Sequence, residues 1–331
     1  MRITVIGAGA MGGSFGAALA LNGHEVSLVD VWEPHVAAIR DDGLRLRGAL
    51  GEHRLRIPIS TEPPGGADVA IVFVDSNATR DVIPTVASAL APDGFAVTFQ
   101  NGVGNVETLQ AGLGRARVVG GSSMCSAAVL GPGDVILTHL APTSIGEPDG
   151  GASDRVEALA RALRDAGLES KVDASIMTTI WQKFLLNAAI NALCAATGLR
   201  LGEIARLPEL DALQDRVMDE AMAVTRAKGI RVSEPDIRAT IKAQCRLKFS
   251  KPSMLQHIEA AKRTEIDAIN GALVREGRAL GVPTPYNEAV VALLKGRELA
   301  RQRAIAEPAV DYAAWEALAQ SGDAAAEPPV A

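Results

Sequence analysis

The sequence predicts two domains: an α/β domain built on a parallel sheet, then an all-α domain. Three observations carry this expectation. The first half alternates short β-branched runs with helical stretches, as βαβ units do. Strand-like runs stop near residue 173, and only helical patterns follow. The length of 331 residues is about twice that of a usual single domain.

Each element has its own warrant. "ITVIG" (3–7) is a short apolar run closed by glycine, as a buried parallel strand reads. Residues 10–23 are helical and rich in small side chains. "EVSLVD" (25–30) is a second strand. "DVAIVFVD" (68–75), "FAVTFQNG" (95–102) and "RVVGGSS" (117–123) are further strands, with helical segments between them. "DVILTHLAPTSIGE" (134–147) reads as a β-hairpin with a proline-containing turn. The helix over 153–167 opens at Ser153, a good N-cap, and ends at Gly167. Helical patterns then cover 175–197, 209–228, 234–248, 253–280 and 285–304. The expected boundaries are 1–172 for the α/β domain and 173–320 for the helical domain. An Ala/Pro-rich tail, 321–331, is expected to be disordered.

Bulk properties exclude several function classes. A hydrophobic fraction of 48% and a charged fraction of 22% are those of a soluble globular protein. Net charge is −6, and no basic run or basic-aromatic patch appears, so nucleic acid is not an expected partner. The longest apolar runs, such as "AAINALCAA", fall well short of the roughly 20 residues a membrane span needs. No leader segment is visible, so a cytoplasmic protein is expected. Cys125, Cys194 and Cys245 are scattered, and the five histidines lack metal-ligand spacing. That argues against disulfides and against a metal site.

"VIGAGAMGG" places Gly7, Gly9 and Gly12 in the G-x-G-x-x-G spacing, directly after a strand and directly before a helix. In that context the pattern is a Rossmann-type dinucleotide fingerprint. Gly7 makes the turn, Gly9 lets the backbone approach a pyrophosphate, and Gly12 lets the helix pack close to the strand. Ala10 and Met11 open the helix, whose free N–H groups face the phosphates. Asp30 ends the second strand, where a carboxylate accepts from ribose hydroxyls and repels a 2′-phosphate. Val31, Trp32 and Glu33 follow it without a cation. The expected cofactor is NAD rather than NADP.

"WQKFLLNAAIN" (181–191) is an oily helix, yet it carries Lys183, Asn187 and Asn191 four residues apart, on one face. Such a stripe is either solvent-facing or part of a built site. An ammonium near a carbonyl oxygen can stabilise a developing alkoxide and donate its proton. Neutral amides can orient an oxo or hydroxy acid. Asn101, in "QNGVG" at a strand end, is placed where ligands bind such sheets, although an Asn-Gly turn needs no ligand. "SMLQ" is a capping-box pattern, with Ser253 as N-cap and Gln256 at N3.

Together, "ITVIGAGAMGG", "FQNGVGNVE" (99–107), "IWQKFLLNAAINALCA" (180–195) and "PSMLQHIEAAKRTEIDAINGALVREGRALGVPTPYN" (252–287) resemble the ketopantoate reductase (2-dehydropantoate 2-reductase) family. The resemblance spans nearly the whole chain. It implies a Rossmann domain followed by a helical domain, with a 2-oxo or 2-hydroxy acid held in the cleft between them and hydride exchanged with a nicotinamide. It assigns Lys183 as proton donor in reduction and acceptor in oxidation. On this plan Asn187 and Asn191 continue the Lys183 face toward the substrate, and Asn101, from its strand end, is expected to reach both the nicotinamide ribose and the substrate. It places Ser253 on the substrate carboxylate and Glu265, on the same expected helix, on a substrate hydroxyl. By analogy with this plan, a homodimer is expected.

One position departs from the family pattern. Asp75 stands where the family carries a lysine near nicotinamide and substrate. Asp75 either caps the following helix or binds a ribose hydroxyl, or it marks a changed substrate, less anionic or bearing a cationic or hydroxyl-rich end. A β-hydroxyacid or opine-type dehydrogenase would use the same parts. A non-catalytic NAD-sensing protein would keep the glycine fingerprint and lose the catalytic face. Here Lys183, Asn187, Asn191, Ser253 and Glu265 are all present.

Overall fold

The computed structural model describes residues 1–232, 234–305 and 309–320. The tail expected to be disordered, 321–331, lies outside them. In β1 (Arg2–Ile6) every residue after Arg2 is buried, so both faces of the strand are covered, as in a central parallel strand. The chain continues through α1 (Ala10–Leu21), β2 (Glu25–Val29), α2 (Glu33–Asp42), β3 (Leu44–Gly48), β4 (His53–Leu55), β5 (Ile59–Ser60), β6 (Ala67–Val72), α3 (Ile83–Ala89) and β7 (Leu90–Thr98). Next come α4 (Asn105–Leu113), β8 (Val118–Ser123), β9 (Ser126–Gly131), β10 (Asp134–His139), β11 (Thr143–Gly146), α5 (Asp154–Asp165) and β12 (Ser170–Val172). The remaining described elements are helices: α6 (Ile176–Thr197), α7 (Leu201–Ile204), α8 (Pro208–Ala227), α9 (Glu234–Leu247), α10 (Ser253–Glu259), α11 (Asn270–Leu280), α12 (Pro285–Ile305) and α13 (Tyr312–Gln320). The expected fold class is what is found.

Eight strands form the main sheet in the order β12-β11-β8-β7-β6-β1-β2-β5. All neighbours are parallel except β8 and β11. From β1 the chain runs to β2 on one side and later returns to β6 on the other. The crevice at that reversal, outside the strand C-termini, is where open α/β sheets bind ligands. α1 lies on the sheet because Gly12, Gly13, Ala17 and Ala18 are small, with Phe15 packed against the stacked pair Phe73 and Phe99 at ring-centroid distances of 5.0 and 5.8 Å. α5 opens as expected: Ser153 caps it, its hydroxyl accepting from the Val156 N–H at 3.4 Å.

Two expectations are corrected. The segment 134–147 is not a hairpin. β10 joins a separate four-stranded sheet, β4-β3-β10-β9, while β11 joins the main sheet. The physical reason lies in burial. β10 alternates, with Val135 and Leu137 fully buried and Asp134, Ile136 and Thr138 half-buried or exposed, which suits a sheet covered on one face. β11 is buried at every residue, which suits the main sheet. The actual hairpin is β9–β10, around Pro132–Gly133.

The helix expected over 253–280 is also broken, between α10 and α11. Ala261 takes a left-handed φ of 52°. The Lys262 N–H then reaches the His257 carbonyl at 2.9 Å and the Ala261 N–H reaches the Ile258 carbonyl at 3.1 Å, a Schellman closure without its usual glycine.

The chain divides into two compact units, Met1–Phe184 with Ile230–Val232, and Leu185–Gly229 with the described residues beyond 233. The division falls inside α6. Among the described residues, no helix is long and apolar enough to cross a membrane, and no cluster could hold a metal ion. The three cysteines are free thiols. Burial pushes Cys194 up to about 12, so it stays protonated and unreactive.

Candidate active site

In the first unit, the chemistry-bearing residues collect at one edge of the main sheet. β1, β6, β7 and β8 run parallel, so Ile6, Val72, Thr98 and Ser123 end at the same carboxyl edge. The glycine turn, Asp75, Asn101 and the ammonium of Lys183 all lie along it.

The turn is built by two close approaches. Gly7 has φ +91°, and a Cβ there would stand 2.7 Å from the Val74 nitrogen, in the strand-to-loop segment after β6. At Gly12 a Cβ would stand 1.8 Å from the Gly7 carbonyl oxygen. Gly9 is the reverse case: a Cβ would meet nothing within 4 Å. The backbone there faces open space, as a phosphate-approaching glycine must. Gly9 is the N-cap of α1, Ala10 and Met11 begin its first turn, and that turn carries no acidic residue to oppose an anion. The turn therefore fits a dinucleotide. Asp30 stands directly beside it. One carboxylate oxygen accepts from the Ala8 N–H at 2.7 Å, the other from the Trp32 N–H at 2.9 Å.

Asp75 is exposed and caps the 3₁₀ turn Ser76–Ala78, accepting from the Asn77 N–H at 2.8 Å. The capping reading is thus met. A polar network ties this loop to the one after β7. The Ser76 hydroxyl donates to the Asn101 carbonyl at 2.7 Å, and Asn105 Nδ2 donates to the same carbonyl at 2.8 Å. Gln100 Nε2 donates to the Val74 carbonyl at 3.0 Å and to the Thr79 hydroxyl at 2.8 Å. The Thr79 hydroxyl donates to Asn105 Oδ1 at 2.8 Å. Asn101 and Asp75 are therefore carried on mutually braced loops.

Lys183, half-buried on α6, donates from Nζ to the Ser123 carbonyl at 2.7 Å. Ser123 is the last residue of β8 and is held in turn. Its hydroxyl accepts from the Cys125 N–H at 3.2 Å and lies 3.0 Å from the Thr143 hydroxyl. A snorkelling surface lysine would not end on a buried strand terminus.

The other four residues belong to the second unit. Asn187 is half-buried and Asn191 is 7% exposed on α6; among the described residues neither side-chain amide has a hydrogen-bond partner. Just behind them, Asn270 Nδ2 donates to the Ala188 carbonyl at 3.0 Å and Gln214 Nε2 to the Ala189 carbonyl at 3.2 Å. Glu265 is 8% exposed and lies in the non-helical segment before α11, not on a continuous helix with Ser253. The expected capping box at Ser253 is absent. Pro252 is the N-cap, Ser253 is the exposed first helical residue, and Gln256 Nε2 turns back to the Lys251 carbonyl at 2.9 Å. Proline takes the cap because its fixed φ suits that extended position.

Sequence reasoning missed Gln100, Asn105, Ser76, Ser123 and His35. Gln100 and Asn105 lie within "QNGVGN" beside Asn101, and the bonds that tie them to the loop after β6, from Gln100 to Val74 and from Thr79 to Asn105, span more than 20 residues. No local pattern announces such bonds.

Comparison with known proteins agrees with this geometry. The model of the family described as ketopantoate reductase PanE/ApbA matches residues 3–150, and the model of its C-terminal part matches residues 175–298. A 2-dehydropantoate 2-reductase of Archaeoglobus fulgidus is 33% identical over 298 residues, 90% of this chain and 98% of that protein. The crystal structure of a PanE/ApbA family ketopantoate reductase from Ralstonia eutropha superposes with a TM-score of 0.85 at 32% identity, covering 91% of this chain and all (100%) of that one. A D-mandelate dehydrogenase solved with NADH and anilino(oxo)acetate superposes with a TM-score of 0.84 at 26% identity, covering 91% of this chain and 100% of that one. With a glycine turn, a carboxylate and an ammonium along one sheet edge, and relatives matched over nearly their whole length, the chain belongs to the ketopantoate reductase family of oxidoreductases.

Proposed function

We propose that the protein is an NAD-dependent reductase or dehydrogenase that exchanges hydride between the nicotinamide and a 2-oxo or 2-hydroxy acid. The observation that carries this reading is the shared carboxyl edge. The dinucleotide turn with Asp30, the Asn101 loop and the Lys183 ammonium are presented by parallel strands of one sheet. NAD, when bound, supplies or takes up the hydride. Gly7, Gly9, Ala10, Met11 and Gly12 would hold its pyrophosphate, and Asp30 its adenosine ribose.

The chain's own groups do the rest. Lys183 Nζ holds the proton for the carbonyl oxygen and stabilises the negative charge that gathers there. In the oxidative direction it accepts that proton. Asn101, Asn187, Asn191, Ser253 and Glu265 grip the carboxylate and hydroxyl of the substrate. The D-mandelate dehydrogenase structure contains NADH and an oxo-carboxylate, which supports both the cofactor and the substrate class.

For the cofactor, Asp30 supports NAD. A carboxylate fixed by two backbone N–H groups cannot turn away from a 2′-phosphate, and Val31, Trp32 and Glu33 offer no cation. Activity with NADH is expected to exceed activity with NADPH by about tenfold or more, the factor of one unpaired charge contact. Parallel steady-state assays with both cofactors measure it, and a clear NADPH preference would sink the assignment.

For the substrate, Asp75 supports a change even though it also caps the 3₁₀ turn. Its exposed carboxylate on the Asn101-braced loop repels an anionic group brought near it. We infer a substrate other than ketopantoate, with a hydroxyl-rich or cationic end on that side. An oxo- and hydroxy-acid panel is expected to show poor turnover of ketopantoate by the native chain and better turnover by Asp75→Lys. Efficient ketopantoate reduction by the native chain would refute the changed substrate.

A further inference from the structure

We propose that His35 is a positioning residue for dinucleotide binding, pinning the Ala8 carbonyl so that the next peptide N–H is aimed at the phosphates. The inference rests on the glycine turn being a nicotinamide dinucleotide site.

His35 lies on α2 and is completely buried, at 0% exposure. Its Nε2 stands 3.0 Å from the Ala8 carbonyl oxygen, and the Gly133 N–H points at its Nδ1 from 3.0 Å. A carbonyl only accepts and an amide N–H only donates. The ring is therefore the neutral tautomer protonated on Nε2, donating to Ala8 and accepting from Gly133. On its flank it is stacked by the Trp32 indole, with centroids 5.3 Å apart and planes at 8°.

Ala8 is thus held at both of its polar atoms. Its N–H is fixed by Asp30 at 2.7 Å and its C=O by His35 at 3.0 Å. In a trans peptide the C=O and the following N–H point in opposite directions. A carbonyl pulled toward His35 therefore sends the Gly9 N–H away from it. Gly9 is the residue whose Cβ position is open to 4 Å, so its surroundings leave room for a ligand. The pin is needed because Gly9 permits many φ values, which makes a flip of the Ala8–Gly9 peptide cheap. The other ring nitrogen anchors the imidazole to the β9–β10 hairpin, so the turn's geometry is referred to a second sheet.

Two substitutions separate the two nitrogens. His35→Asn can still accept from Gly133 at the Nδ1 position but cannot reach Ala8. His35→Gln reaches as far as Nε2 and can donate to Ala8. NADH binding to the full-length chain is read by nicotinamide fluorescence or calorimetry, without substrate, beside the melting temperature. H35N is expected to raise the Kd for NADH about tenfold, the equivalent of about 1.4 kcal/mol, a typical hydrogen bond. H35Q is expected to stay within about threefold of native on the same scale. Both lower the melting temperature. A purely structural histidine would move the melting temperature and leave Kd alone. Native affinity in folded H35N would overturn the proposal, as would a tenfold loss in folded H35Q, which decides the matter even if H35N does not fold. A native chain that binds neither NADH nor NADPH would refute instead the reading of the glycine turn.

Discussion

Replacing Lys183 with alanine is expected to lower kcat by about 10²–10⁴-fold, the range that general acid–base catalysis contributes, while NADH still binds. The Lys183 ammonium stands at the end of β8, hydrogen-bonded to the Ser123 carbonyl at 2.7 Å. An ammonium carries three protons that it can donate. Truncation removes both the proton source and the charge that offsets a developing alkoxide. It does not touch the glycine turn, so cofactor affinity is the internal control. A panel of substrates assayed with the variant makes the measurement, and unchanged turnover would show that another group moves the proton.

The Gly12→Ala substitution is expected to be the most damaging single-methyl change in the dinucleotide turn. The added Cβ would stand 1.8 Å from the Gly7 oxygen, 3.0 Å from the Gly7 carbonyl carbon and 3.1 Å from Val5 Cγ1. Two of those atoms are backbone in a turn that β1 and β6 already fix, so the helix and the turn must separate. Overpacking of this kind costs about 1–3 kcal/mol or more, and a melting temperature lower by several degrees follows. NADH affinity falls with it, because the amides that face the phosphates sit on the displaced segment. Gly9→Ala is the contrast. Its methyl meets nothing within 4 Å, so the protein should melt as the native chain does yet bind NADH more weakly. Calorimetric melts and NADH titrations of the two variants separate the packing glycine from the approach glycine. Equal behaviour of the two would mean that the turn's roles have been misassigned.

What could be foreseen from the sequence, and what could not, divides along physical lines. The βαβ order, the glycine turn with Asp30 and the helical second half rest on local periodicity and on residue types with a single use, and the structure contains them. β3, β4, β5, β9 and β12 were not foreseen; β4, β5 and β12 are only two or three residues long and have no periodicity to read. The partition of β10 and β11 between two sheets is a tertiary choice, visible only in which faces are covered. The break after α10 hides inside a continuous apolar rhythm, Ile258, Ile266 and Ile269, because Ala261 adopts a conformation usually signalled by glycine. His35 looked like one of several scattered histidines. Its partners are 27 and 98 positions away in the chain. At the candidate site, identities were legible and support was not: Lys183 and Asn101 stand out by type, while Ser123, Gln100 and Asn105 are tied in by bonds to Lys183 and Thr79, 60, 21 and 26 positions away.

The edge of the main sheet has a practical consequence for anyone dividing this chain. The N-terminal family model stops at residue 150, just past β11, yet β12 (Ser170–Val172) is the strand that completes that side of the sheet, pairing Thr143–Ile145 in parallel. A fragment cut at residue 150 would also lose α5, whose Val156, Leu159 and Leu163 belong to the same core. It would bare one long side of β11, a wholly buried and uncharged strand with its N–H and C=O groups unmatched. Open edges of that kind template self-association. The shortest soluble nucleotide-binding piece should therefore be sought beyond Val172, and a piece ending near 150 should collect in inclusion bodies rather than in the supernatant.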